Sequence, residues 1–215
     1  MRDSSAVLVT RPSYDPLTIY LHAWSKEALS MAKKKGFKIC DLEGANANRE
    51  RFESYVRAHG PVFIFLNGHG NAQELAGQDD KVIVSVESDV GDALVYARSC
   101  DCAQKVGPAL VTRGATFIGY LRKFVFYHQQ GNLKDPLKDS IAALFLAPSN
   151  LVPSTLLKGH SAAEAHQRSK EAMYRNFRRM VSSASSFEER FAARAMWGNI
   201  KDQVLLGDEN ASIDS

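Results

Sequence analysis

Cysteine is scarce in this chain. Three occur in 215 residues, and two of them, Cys100 and Cys102, are one residue apart. That number and spacing exclude a disulfide framework, so reduced thiols are expected. Charge of one sign is scarce as well. The 27 Lys and Arg stand against 24 Asp and Glu, a net +3, and no dense basic cluster marks a nucleic-acid partner. Lys33-Lys34-Lys35 falls where a helix ends, and cations there complement the helix dipole. Long apolar runs are missing: none approaches the ~20 residues of a membrane span. The opening MRDSSAVLV has no signal-peptide core, and the expectation is a cytoplasmic protein with no membrane partner. Repeats and low-complexity segments are absent too. What is there, 45% hydrophobic and 24% charged residues, suits a single α/β domain over residues 1–215.

Hydrophobic pattern divides the chain into alternating elements. A strand is predicted over residues 6–10. A helix follows, opened by Asp15-Pro16 and carrying Leu17, Tyr20, Leu21, Trp24, Ala28 and Met31 at helical spacing. Strands are predicted over 37–42, 62–66, 93–97 and 115–119, with helices over 48–59 and 103–113; Pro108 is a weakness in the latter. A short strand is expected over 81–84 and a surface loop over 121–135. The apolar run 137–146, ending at Pro148, fits either helix or strand. Helices over 161–182 and after Ser186 follow, the last with Phe187, Phe191 and Ala195 inward, and Trp24 and Trp197 read as core. A last strand over 203–206 precedes a tail, 209–215, expected to fray. The sum is a three-layer, flavodoxin-like α/β fold. About six mostly parallel strands, in an order near 2-1-3-4-5-6, have helices on both faces.

Chemistry concentrates at two strand ends. The strand over 62–66 runs into Asn67-Gly68-His69-Gly70, and the strand over 93–97 runs into Arg98-Ser99-Cys100. In a parallel sheet these ends are expected side by side, on the edge where open α/β sheets bind ligands. An imidazole that takes a thiol's proton makes the thiol a nucleophile. The glycines beside His69 permit a sharp bend and close approach, and the amides of Gly70 and Cys100 are candidate oxyanion donors. Taken alone, each residue is more readily structural. No cofactor is implied. A Cys100-x-Cys102 metal site is a poor alternative, because Cys40, on a strand, is expected in the core and His69 would have to join. His22, His59, His128, His160 and His166 lack strand-tip context. Asp79-Asp80 reads as a solvated turn.

An apolar strand ending in His-Gly, followed by one ending in Ser-Cys, resembles the caspase–gingipain–separase group of cysteine peptidases. VYARSC…LVTRGATFIGY is similar to the nucleophile region of the CHAT-type and gingipain-type branches. The closing WGNIKDQVLLGDENASI is similar to the Leu-x-Gly-Asp end of gingipain-like domains. The specific motifs occupy residues 63–70, 94–120 and 197–208. The resemblance implies a caspase-like fold with His69 as general base and Cys100 as nucleophile. The pair, acting as a dyad, would cleave peptide bonds of a protein or peptide substrate through a thioester. A regulatory partner is compatible but not identified. Where the family has one cysteine at this turn, the chain has two. Cys100 occupies the Ser-Cys position and Cys102 would follow on the first helical turn.

Specificity is expected from arginines. Side chains alternate along a strand, so Arg98 shares the face of Cys100. Relatives that cut after Arg or Lys, such as clostripain and metacaspases, commonly have Asp at this position. Caspases, which cut after Asp, use arginines nearby. Arg98, Arg11 and Arg122 therefore imply an acidic preference before the scissile bond, a carboxylate being well held by a guanidinium. The alternative is that Arg98 pairs with Asp101 or Asp92, or that all three are solvated. Two other functions stay open at this point: a non-catalytic binding or scaffold protein, and a small-molecule thiol hydrolase or acyltransferase.

Overall fold

The computed structural model describes residues 5–129 and 131–213. Its main sheet has six strands: β1 (Ala6–Arg11), β2 (Lys38–Glu43), β3 (Phe63–Asn67), β6 (Leu94–Arg98), β7 (Thr116–Tyr120) and β8 (Gln203–Leu206), ordered β2-β1-β3-β6-β7-β8. All neighbours are parallel except the β7–β8 pair. Counted along the chain within this sheet, the order is the expected 2-1-3-4-5-6. A small antiparallel hairpin, β4 (Glu74–Ala76) and β5 (Val82–Ser85), stands apart from it.

Period-two alternation builds a core on each face. Val7, Val9, Phe63, Phe65, Leu94, Tyr96, Ile118 and Tyr120 face α1 (Pro16–Lys34), α4 (Ser140–Leu156), α5 (Ala162–Met180) and α6 (Phe187–Asp202). Ala6, Leu8, Ile64, Leu66, Val95, Ala97 and Phe117 face α2 (Arg49–His59) and α3 (Val106–Thr112). Asp15 caps α1 through Thr18, with Pro16 at the first helical position, as expected. Pro108 lies in the first turn of α3, which starts later than predicted, and its missing N–H costs no helical bond there.

Four expectations need correction. The run 137–146 is a 3-10 turn followed, after the cap Asp139, by the start of α4, which does not stop at Pro148; it continues to Leu156 through Pro153 as well. Pro148 cannot donate to the Leu144 carbonyl four residues back, and Asn176 Nδ2 of α5 donates to it instead at 2.7 Å. In α6 the buried stripe is Ala192, Ala193, Met196 and Ile200, while Phe187 and Phe191 are 73% and 63% exposed. Trp197 is also exposed; Trp24 packs against the core and donates to the Pro136 carbonyl. The tail does not fray over residues 209–213. Carbonyls of Glu209 and Ala211 accept from the first amides of α5, Ala163 and Ala162, and Ile213 is buried. Residues 214–215 lie outside the described residues. Among the described residues no helix is long and apolar enough to cross a membrane.

Candidate active site at the C-terminal edge of the sheet

The ends of β1, β3 and β6 are tied together below the edge. Asn67, last residue of β3, donates its backbone N–H to Thr10 Oγ1 at 2.9 Å and its Nδ2 to the Thr10 carbonyl at 2.8 Å. Its Oδ1 accepts from Arg98 Nε at 2.7 Å. β3 pairs with β6 in a register that sets Asn67 opposite Arg98. The residues that follow, His69 and Cys100, therefore leave neighbouring strands at one level.

Close backbone approach explains the glycines around His69. A Cβ on Gly68 would lie 2.4 Å from the Ala76 carbonyl oxygen, and one on Gly70 would lie 2.2 Å from Ser99 Oγ. The His69 carbonyl accepts from Ser99 Oγ at 2.7 Å and from the Ala76 N–H at 2.9 Å. The histidine backbone and the residue before the cysteine are thus hydrogen-bonded to each other. Gly70 is bridged to Leu75 through the amides of Asn71 and Ala76, so its own N–H is not used by the bridge.

The His69 ring is held from the β1 side. Nε2 contacts Asp15 Oδ2 at 2.5 Å, and the ring lies 6.1 Å from that of Tyr14. In the sequence Asp15 reads only as a helix cap. Burial raises its affinity for a proton, but the Thr18 amide and His69 outweigh this and hold its carboxyl below the ordinary range. A carboxylate on Nε2 makes that nitrogen the donor and leaves Nδ1 as the basic one.

Cys100 is held from the opposite side. Its Sγ is 3.8 Å from the Phe124 carbonyl, beyond β7. No hydrogen bond joins it to His69 among the described residues; each side chain leans on a different neighbour. Burial pushes the Cys100 thiol up, the Asp101 carboxylate adds to this and the Lys123 ammonium opposes it. Asp101, immediately after, has φ of 57°, a left-handed conformation that aspartate tolerates better than most residues. The amides of Asp101 and Ala103 bond the Arg122 and Tyr120 carbonyls, which pins this turn to the end of β7.

Cys102 has a different setting. It is fully buried, its Sγ donates to the Ser99 carbonyl at 3.2 Å and accepts from the Tyr120 N–H at 3.4 Å, and burial pushes its thiol up to about 12. Cys40 is buried in the core, as expected. Among the described residues no group of three or more His, Cys, Asp or Glu side chains converges as a metal site would.

Two of the three expected substrate arginines are not available to a ligand. Arg98 is fully buried: Nη1 reaches Ser149 Oγ and Asn150 Oδ1, Nη2 reaches the Leu21 carbonyl, and the guanidinium lies 4.6 Å from the Phe65 ring centroid. α1 and α4 cover it below the edge, Leu21 belonging to α1 and Ser149 and Asn150 to α4. Its partners are neutral, neither Asp101 nor Asp92, and burial draws its pKa down to about 10. Arg11 is buried against Asp41 at 2.5 Å and Glu43 at 3.0 Å, with His22 beside it. Arg122 alone is exposed, on a groove of about 720 Å³ between the segment after β7 and α6. A smaller cleft of about 280 Å³ lies on the other side, lined by His69, Gly70, Glu74 and Asp80. In comparisons with known proteins, no family model matches the chain and no curated protein matches it.

Proposed function

We propose that this protein is a caspase-like cysteine endopeptidase working through His69 and Cys100, with Asp15 orienting the histidine. The observation that carries the reading is the juxtaposition at one sheet edge. A carboxylate-bound imidazole and a part-exposed thiol leave adjacent parallel strands whose tips are joined by the Ser99 Oγ bond to the His69 carbonyl.

In this reading the resting thiol is protonated. Cys100 Sγ, released from the Phe124 carbonyl, gives its proton to His69 Nδ1 as sulfur attacks the scissile carbonyl. The S–C bond forms and the carbonyl electrons move to oxygen, where the amides of Gly70 and Cys100 are the candidate donors. Collapse breaks the C–N bond, and the amine leaves with the proton from imidazolium. Water, deprotonated by His69, then releases the acid and regenerates the thiol. Asp15 stabilises the imidazolium between these steps. The substrate class is a protein or peptide, and three free thiols accord with a reducing, cytoplasmic setting.

The test is iodoacetamide labelling followed by intact mass, together with hydrolysis of fluorogenic peptides. The expected result is labelling at Cys100 with the buried Cys40 and Cys102 left unlabelled, and hydrolysis lost in Cys100→Ala but kept in Cys102→Ala. Hydrolysis retained by a folded Cys100→Ala protein sinks the assignment.

A further inference from the structure

Three cations line the larger groove without a carboxylate partner. Arg122, Lys123 and Arg194 are exposed and enter no salt bridge among the described residues. Two acids share the groove: Asp101, which accepts from Gln104 Nε2 at 2.8 Å, and Asp202. Tyr127 and Phe191 add an aromatic wall, their rings edge to face at 5.4 Å. The smaller cleft beside His69 has the opposite character. Its lining holds Glu74 and Asp80 and no Lys or Arg, and Asp15 stands behind the imidazole.

Strand order arranges these features along the edge. Asp15 lies beyond β1, His69 and the acidic cleft beyond β3, Cys100 beyond β6, and the basic groove beyond β7. The chemistry orders a substrate on them. The acyl part is the part that bonds to Cys100, and the departing amine must receive its proton from His69. Residues before the scissile bond therefore lie toward Arg122, Lys123 and Arg194, and residues after it run over Glu74 and Asp80.

We infer that the site takes a peptide segment of opposed charge, acidic with an aromatic or apolar neighbour before the cut bond and basic after it. This inference rests on the peptidase reading. The charged side chains are exposed, so each contact changes kcat/KM by only about two- to fivefold, and added salt weakens the effect. Several such contacts together orient the peptide and steer its encounter.

Three fluorogenic peptides of equal length decide the matter: acidic-before and basic-after, the reverse, and a neutral Ser/Gln version. Each is assayed for cleavage by the native protein and for binding to Cys100→Ala by fluorescence anisotropy, in low and high salt. The expected order is first, neutral, reverse, over about tenfold or more in kcat/KM, compressed by salt. Arg122→Glu with Arg194→Glu should reverse the preference before the bond and leave the preference after it. Equal cleavage of all three overturns the charge polarity and keeps the peptidase reading. Charge-ordered binding without cleavage keeps the polarity and overturns the peptidase. Neither binding nor cleavage overturns both.

Discussion

Asp15 divides its carboxylate between two partners, Oδ1 on Thr18 and Oδ2 on His69. Asp15→Asn keeps a good cap and removes the charge, so proposed hydrolysis should fall on the order of 10²-fold, with some loss of stability at neutral pH. The carboxyl is held below its ordinary range in the folded protein. Its contribution to stability is therefore present above the ordinary carboxylate value and lost as pH falls through the lower folded one. Melting curves of both proteins from pH 7 to pH 3 should show any gap between them closing on acidification; a gap that widens contradicts the linkage. The two cysteines of the turn divide in the same way. Cys100→Ala should leave the melting temperature nearly unchanged. Cys102→Ala, in a site closed over by Ser99 and Tyr120, should cost about 1 kcal/mol.

At the scale of elements, α4 is the informative case. It holds two prolines, Pro148 and Pro153, each lacking the N–H a helix interior needs, yet the helix is apolar nearly all round and buried between its neighbours, so packing holds it. The Asn176 bond to the Leu144 carbonyl is the compensation at Pro148. Asn176→Ala should cost about 1–2 kcal/mol by leaving that carbonyl unpaired. In a Pro148→Ala background the same change should cost less, because the substituted alanine supplies a backbone N–H in the helix. Equal costs in the two backgrounds, measured by urea unfolding, would show that the side-chain bond does not substitute for the missing one. Arg98 performs the corresponding task for strands. It ties the end of β6 to β3 through Asn67 and to α1 and α4 through Leu21, Ser149 and Asn150. Removing it as Arg98→Met leaves several buried acceptors unmatched and should cost about 3 kcal/mol or more. Arg98→Lys should not restore this, since an ammonium cannot span the fork.

For the whole molecule, the last described residues act as a clasp rather than a loose end. Glu209 and Ala211 satisfy the opening amides of α5, and Ile213 enters the core shared by four helices. Deleting residues 209–215 should lower stability by about 3 kcal/mol, from one buried Ile and two backbone bonds. A truncated protein melting with the full chain would remove the clasp.

The sequence alone determined the parts governed by short-range periodicity. Strand-length apolar runs, capping residues at Asp15 and Ser186, and alternation of strand with helix implied the α/β class and the strand order, because parallel crossovers leave few topologies. The same logic set His69 and Cys100 at the ends of adjacent strands. Only tertiary structure decided what those residues meet. Arg98 ends β6, but whether its side chain is open or roofed depends on α4, 51 and 52 residues away in sequence at Ser149 and Asn150. Asp15 reaches His69 across 54 residues. The inward stripe of α6 and the survival of α4 past Pro148 likewise depend on which neighbours pack there and what donors they carry. Local pattern fixes where a side chain leaves the backbone. Burial, pairing and charge environment come from distant segments, and those decide which arginine is free to meet a ligand.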